Sequence, residues 1–397
     1  MYIKFSTVVG VQATPSDHPN TQPERDRIGS MVPTVEYIEW IRGRPDAVAH
    51  DLGSSGLFAA TGENGVVPEQ LRGLDDPADG PDLRARLAER YGVDRGGVLL
   101  TAGATTANVV AAIAAAELGG SEDTRTGLVE KPTYEPLIDS PRLFGVDIDR
   151  FRRRSDSGYA LDPERVDAAA TEDTAFITVT NRHNPSGRLA DRETLLAVAD
   201  AAAERDALLH VDEVYAPYVR DDGDGPFGGV TAAGLPDTVV TGSLTKFFGL
   251  DGLRAGWVVG DPEVVDAARS AATHFADPST PSVALAERAL EHADELAASA
   301  RERVAANHDL LADFVAGRDD LDGRVFADAT YAFLDPRGVD GSTVTEAALE
   351  RDLLVVPGRF FEDEERFRVG LGCGPERMRA ALNVLGETLD DVTVAAV

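Results

Sequence analysis

Lysine is scarce in this chain. Lys4, Lys131 and Lys246 stand among 38 basic residues, the others being arginine. Lys246 lies in Ser243-Leu244-Thr245-Lys246-Phe247-Phe248-Gly249, with Arg254 eight residues on. A guanidinium stays protonated, whereas a desolvated ammonium gives up its proton and can then attack a carbonyl. A lysine kept where arginine is the default therefore points to chemistry that needs a free amine; the bland alternative is a surface ammonium. Asp212 follows an apolar run in Leu208-Leu209-His210-Val211-Asp212-Glu213-Val214-Tyr215. An ionised carboxylate there calls for a cation, and a protonated ring nitrogen would serve; a strand-end cap is the alternative. Gly103-Ala104-Thr105 sits between a strand-like and a helix-like run and offers backbone N–H groups and a helix dipole to an anion, most simply a phosphate. Ser243 and Arg254 are candidates to complete that anion site. Strand alternation sends His210 and Asp212 to one face, but no third metal ligand is evident and no metal is expected.

These residues need a scaffold that gathers them. Short β-branched runs predict strands at Val98 to Thr101, Gly127 to Glu130, Phe176 to Thr180, Ala207 to Val211, Thr238 to Thr241 and Trp257 to Val259. Ala-rich amphipathic segments alternate with them: Thr106 to Leu118, stopped by Gly119-Gly120, and Arg192 to Arg205, with Asp191 as N-cap. This alternation implies an α/β fold, a largely parallel sheet with helices on both faces. Five of the predicted strands run, at their carboxyl ends, into Gly103-Ala104-Thr105, Pro132-Thr133-Tyr134, Asn181-Arg182-His183-Asn184-Pro185, Asp212-Glu213-Val214-Tyr215 and Ser243 to Lys246. Open α/β sheets bind ligands at that edge. A long helical pattern runs almost unbroken from Ser282 to Phe314 and suits a bridge to a smaller α+β domain. That domain would hold strands near Tyr331 to Leu334 and Phe367 to Gly370, a helix near Thr343 to Arg351 and a closing helix from Pro375. The segment around Pro33 to Gly53 is expected to pack with it.

The 397 residues carry a formal net charge of −31, spread along the chain. Such a surface suits solubility at high ionic strength and disfavours nucleic acid and anionic membrane as partners. Cys373 is the single cysteine, so no intramolecular disulfide or CxxC motif exists, and a reduced cytoplasm is expected. No apolar run reaches the roughly 18 residues of a membrane span. Residues 1–30, rich in Pro, Asp and Thr, read as a flexible extension, with Met31 an alternative start.

Asn184-Pro185-Ser186-Gly187, Asp212-Glu213-Val214-Tyr215, Ser243-x-x-Lys246 with Arg254, and Phe367-Arg368-Val369-Gly370, in this order and spacing, resemble the motif series of the fold type I, class I/II pyridoxal-phosphate aminotransferases. The resemblance runs from about residue 30 to the end. It implies a central sheet of the seven-stranded type and four segments: 1–30 as extension, 31–55 packing with the small domain, 56–290 as the large cofactor-binding domain and 291–397 as the small domain. It further implies that Lys246 holds pyridoxal 5'-phosphate as a Schiff base and moves the substrate Cα proton, while Asp212 pairs with the pyridinium nitrogen. Asn184 and Tyr215 would bond the ring's phenolic oxygen, and Tyr134 would stack on the ring. Gly103, Ala104, Thr105, Ser243 and Arg254 would hold the phosphate. Arg368, with Asn184 beside it, would grip the substrate α-carboxylate as a fork. The implied reaction moves an amino group between an amino acid and a 2-oxo acid through pyridoxamine phosphate, in a homodimer.

Three departures from the family pattern stand out. Leu74 replaces a tyrosine that touches the partner subunit's phosphate. Asp51-Leu52-Gly53-Ser54-Ser55-Gly56 lacks the usual second glycine spacing. Arg182 takes the place of proline or another small residue and reads as a solvated side chain, the alternative being a reach to a neighbour or to the substrate. Three rivals are weighed against transamination. Ser243-x-x-Lys246 is also an SxxK, but serine β-lactamase chemistry needs a KTG that this chain lacks. Lyases, decarboxylases or amino-acid cyclases of the same fold, like threonine-phosphate decarboxylase or capreomycidine synthase, share Lys246 and Asp212, so fold and cofactor do not fix the reaction. A non-catalytic binder on this fold would not need both Lys246 and Arg368.

Overall fold

The computed structural model describes residues 34–57, 67–80, 82–120, 125–217 and 225–395. The expected extension over residues 1–30 and the alternative start at Met31 lie outside them. In chain order the helices and strands are α1 (Glu36–Ile41), β1 (His50–Asp51), α2 (Leu83–Tyr91), β2 (Val98–Thr101), α3 (Ala104–Leu118), β3 (Thr126–Lys131), α4 (Pro136–Arg142) and β4 (Asp147–Arg152). There follow α5 (Pro163–Ala169), β5 (Thr174–Thr180), α6 (Arg192–Ala203), β6 (Leu208–Asp212), β7 (Thr238–Ser243), β8 (Gly256–Val259) and α7 (Pro262–Ala272). The rest of the chain forms α8 (Thr280–Glu291), α9 (Ala293–Ala316), β9 (Leu321–Asp322), β10 (Tyr331–Pro336), α10 (Gly341–Leu349), β11 (Leu353–Leu354), β12 (Val356–Pro357), β13 (Phe367–Gly370) and α11 (Pro375–Ala395).

The sheet that carries most of the core has seven strands in the order β2-β8-β7-β6-β5-β3-β4. Only β8 runs antiparallel to its neighbours, β2 and β7. The strands read as continuous apolar runs because both faces are covered: every residue of β5, β6 and β7 is buried. One strand escaped the sequence reading. β4, Asp-Ile-Asp-Arg-Phe-Arg, is an edge strand with only Phe151 buried, so it lacks the apolar run that revealed the others.

α3 is buried almost all round, and its small alanines let it lie close to both the sheet and α7. The chain leaves it through Gly119, where a Cβ would come within 2.1 Å of the Ala175 carbonyl oxygen, and Gly120 at φ +73°. At α6 the expected cap is present: Asp191 accepts from the Thr194 amide. The almost unbroken helical pattern over Ser282 to Phe314 forms two helices, α8 and α9, broken at His292. Apolar periodicity persists across that break, so the pattern alone hid it. Along α9, Ala293, Ala297, Ala300 and Val304 join the core of the large sheet, while Leu311 joins a second core.

That second core fills the space between the sheet β12-β13-β10-β9 and the helices α9, α10 and α11. β1 pairs in parallel with β11, and Leu52 is fully buried in the same core.

Candidate active site

The parallel strands β2, β3, β5, β6 and β7 deliver their carboxyl ends to one edge of the large sheet. Lys246 follows β7, half-buried. Its Nζ donates to Ser55 Oγ at 3.1 Å, and Ser55 Oγ lies 2.8 Å from Tyr215 Oη. Desolvation pulls the Lys246 pKa below the ordinary lysine value, and the charge of Arg368 adds to the effect. The backbone is held close as well: Leu57 N donates to Lys246 O at 2.9 Å, and a Cβ on Gly56 would sit 3.2 Å from Lys246 Cδ.

Asp212 ends β6 and is buried. Its Oδ2 accepts from Asn108 Nδ2 at 2.8 Å and its Oδ1 from Val214 N at 3.0 Å. Burial raises its pKa, opposed by those two hydrogen bonds and by the charge on Lys246. Tyr134 lies half-buried beyond β3, edge-on to Tyr37 with ring centroids 5.8 Å apart. Desolvation pushes its phenol well above the usual range.

Arg368 projects from β13 with 1% of its surface exposed. Its Nη1 donates to Asn184 Oδ1 at 2.9 Å, and its Nη2 donates to Tyr37 Oη at 3.1 Å and to Gly53 O at 3.0 Å. Its Nε has no partner among the described residues. A buried N–H of this kind is an open position for an anionic oxygen. Tyr37 is itself held by Glu135, whose Oε2 accepts from the Tyr37 amide at 2.7 Å.

The candidate phosphate residues form a second focus. Ser243 pairs with Gly256 across β7 and β8, and Gly256 approaches so closely that a Cβ there would meet the Gly103 carbonyl carbon at 2.5 Å. Gly103 caps α3 at φ 89°, ψ 169°, a region nearly reserved for glycine. A Cβ on it would reach within 2.6 Å of Arg254 Nη2. Ala104 and Thr105 open the helix, with Thr105 exposed. The result is a shallow cradle of helix N–H groups beside a guanidinium, suited to a phosphate.

Arg182 is not solvated: it is 3% exposed, and its Nη1 donates to Gly187 O at 2.9 Å and Ala327 O at 3.0 Å. It ties the Asn184 loop to the segment before β10. Leu74 packs, partly buried, against the core of the large sheet. Sequence reasoning also missed Ser55, Tyr37 and Asn108. Asn108 had a signal, as an amide inside an otherwise apolar stretch of α3; Ser55 and Tyr37 had none, because the chain brings them in from far away. Among the described residues no group of His, Cys, Asp and Glu could hold a metal ion, and no helix is long and apolar enough to cross a membrane.

A buried acid and a half-buried lysine on the carboxyl edge of this sheet, beside a glycine-capped helix start, fit a pyridoxal-phosphate enzyme of fold type I. Comparison with known proteins agrees. The family model for aminotransferase class I and II matches residues 72–385, and the chain belongs to that pyridoxal-phosphate-dependent family. It is similar to capreomycidine synthase of Streptomyces vinaceus, 28% identical over 90% of this chain and 94% of that protein. It is also similar to a histidinol-phosphate aminotransferase of Halorubrum lacusprofundi, 30% identical over 78% of this chain and 80% of the other. A crystal structure of a PLP-dependent aminotransferase from Streptococcus suis superposes with a TM-score of 0.78 at 22% identity, covering 91% of this chain and 98% of that one.

Proposed function

We propose that this aminotransferase carries its reaction on Lys246, Asp212 and Arg368, moving an amino group from an amino acid to a 2-oxo acid. The observation that carries the reading is the meeting of the Lys246–Ser55–Tyr215 hydrogen-bond chain and the Arg368–Asn184 pair at the sheet edge where Asp212 ends β6. The residues fit pyridoxal phosphate: the Gly103 to Thr105 turn with Ser243 and Arg254 would hold its phosphate, Asp212 its ring nitrogen, and Tyr134 a ring face. When bound, the cofactor supplies an aldehyde for an amine and a ring that takes up electron density from the substrate Cα. Lys246, whose ammonium form is disfavoured by desolvation, would take the proton from the substrate Cα. Arg368 orients that bond by gripping the α-carboxylate, with Nε free to donate and Asn184 and Tyr37 fixing the plane of the guanidinium. Ser55, itself hydrogen-bonded to Tyr215, steadies the end of the Lys246 side chain.

Supporting observations extend the reading to assembly and setting. Separate cores on the two sheets favour a large domain over 56–290 and a small one over 291–397, with 31–55 packed on the latter. The family resemblance favours a homodimer, testable as the mass in solution at high salt. The single buried thiol of Cys373 and the net charge of −31 favour a cytoplasmic, salt-adapted protein. Similarity to capreomycidine synthase favours a second reading, cyclisation or another reaction at the same Cα.

One experiment addresses both readings. The holoenzyme in high salt is mixed with single amino acids, and the cofactor absorbance is followed. Conversion that a 2-oxo acid reverses is the expected result; a cyclic product or carbon dioxide without conversion would support the second reading. Borohydride treatment and peptide mapping should leave the cofactor carbon on Lys246. Label on another residue, or on none, would refute the site.

A further inference from the structure

Behind Asp212 the sheet carries polar side chains where a core would ordinarily place valine or isoleucine. Thr178 on β5 and His210 on β6 are register partners, as are Asp212 on β6 and Thr241 on β7. Strand alternation puts all four on the face that α3 covers, where Asn108 reaches down. Thr178, His210 and Thr241 are at most 1% exposed and Asn108 is 8% exposed. The contacts run Thr178 Oγ1 to His210 Nδ1 at 3.2 Å, His210 Nε2 to Thr241 Oγ1 at 3.3 Å, Thr241 Oγ1 to Asn108 Oδ1, and Asn108 Nδ2 to Asp212 Oδ2 at 2.8 Å.

The direction of every bond follows from counting protons. Asn108 Oδ1 only accepts, so the one hydroxyl proton of Thr241 is spent on it. Thr241 Oγ1 must then accept from His210, which places the imidazole proton on Nε2. Burial pushes the His210 pKa down to about 4, so the ring is neutral and its Nδ1 is bare. That nitrogen accepts from the Thr178 hydroxyl. All four donors therefore point the same way, toward Oδ2 of Asp212.

We infer that Thr178, His210, Thr241 and Asn108 form a one-way hydrogen-bond relay that keeps Asp212 an ionised carboxylate, able to hold a cationic ring nitrogen. Aligned donors polarise one another and put the positive end of the chain against the acid, offsetting the cost of burying its charge. Asn108, Thr241 and His210 are positioning residues: they act on the cofactor through Asp212. The inference rests on the reading that Asp212 meets that nitrogen.

The test compares two ligands in each variant. Apoenzyme is titrated with pyridoxal phosphate and with its 1-deaza analogue, in which carbon replaces the ring nitrogen, and the affinity ratio is taken. Wild type should favour the natural ring. In N108L that preference should shrink about 30-fold and in T241V about fivefold, reflecting loss of a donor to a charged group and of a more distant link. T241S, which keeps the hydroxyl, should restore it. General damage to the fold weakens both ligands and leaves the ratio unchanged; if N108L fails to fold, T241V against T241S decides. A wild-type preference that survives intact in T241V overturns the relay. No wild-type preference would instead mean that Asp212 does not meet the nitrogen, and the reading beneath it would fall.

Discussion

Replacing Arg368 by lysine keeps the positive charge and removes the fork. In the structure the guanidinium is fixed by three acceptors, Asn184 Oδ1, Tyr37 Oη and Gly53 O, and its Nε remains open. A carboxylate arriving at Nε would gain a charge-assisted hydrogen bond from a guanidinium whose plane is already fixed, whereas a lysine ammonium has no N–H at that position. A hydrogen bond to a charged group contributes about 1.5–3 kcal/mol, so losing one should lower kcat/KM roughly 10- to 150-fold. Lysine also leaves at least one of the three acceptors without its donor, costing about 1–3 kcal/mol of stability, read as a lower melting temperature. The deciding assay compares an amino acid with the matching amine that lacks the α-carboxylate, each in wild type and R368K. The penalty should fall on the amino acid alone. Equal penalties for both substrates would show that Arg368 acts through the fold and not through the carboxylate, and the reasoning would fail.

Lys246→Arg should abolish transamination and borohydride labelling together, since a guanidinium cannot supply the neutral amine; residual turnover above the uncatalysed rate would refute it. Gly103→Ala forces a side chain into a backbone region close to glycine-only and toward Arg254 Nη2, so it should cost about 1–3 kcal/mol of stability in urea titration and weaken pyridoxal phosphate binding. Glu213, buried beside Asp212, has its pKa pushed up to about 8 by desolvation, from an ordinary value of 4.5. Because the folded protein then holds a proton that the unfolded chain has lost, stability should fall as pH rises from about 4.5 to about 8, and Glu213→Gln should flatten that part of the melting-temperature profile. An unchanged profile would show that Glu213 is ionised in the fold.

The chain's local chemistry already carried a large part of this account. Apolar runs named six of the seven strands in the large sheet, and the loaded residues at their ends marked the edge, because buried parallel strands are continuous in sequence and their turns are short. The scarcity of lysine singled out Lys246 before any contact was known. Tertiary structure alone decided what surrounds it. Ser55 reaches Lys246 across 191 positions, Tyr37 reaches Arg368 across 331, and Asn108 reaches Asp212 across 104. Such contacts leave no periodicity to read. The same limit explains Arg182, which was expected in solvent: nothing near it in sequence says that the carbonyl of Ala327 will meet its guanidinium. Local patterns report on neighbours a few residues apart, whereas burial and hydrogen-bond partners at this site are set by segments that meet only after the chain has folded.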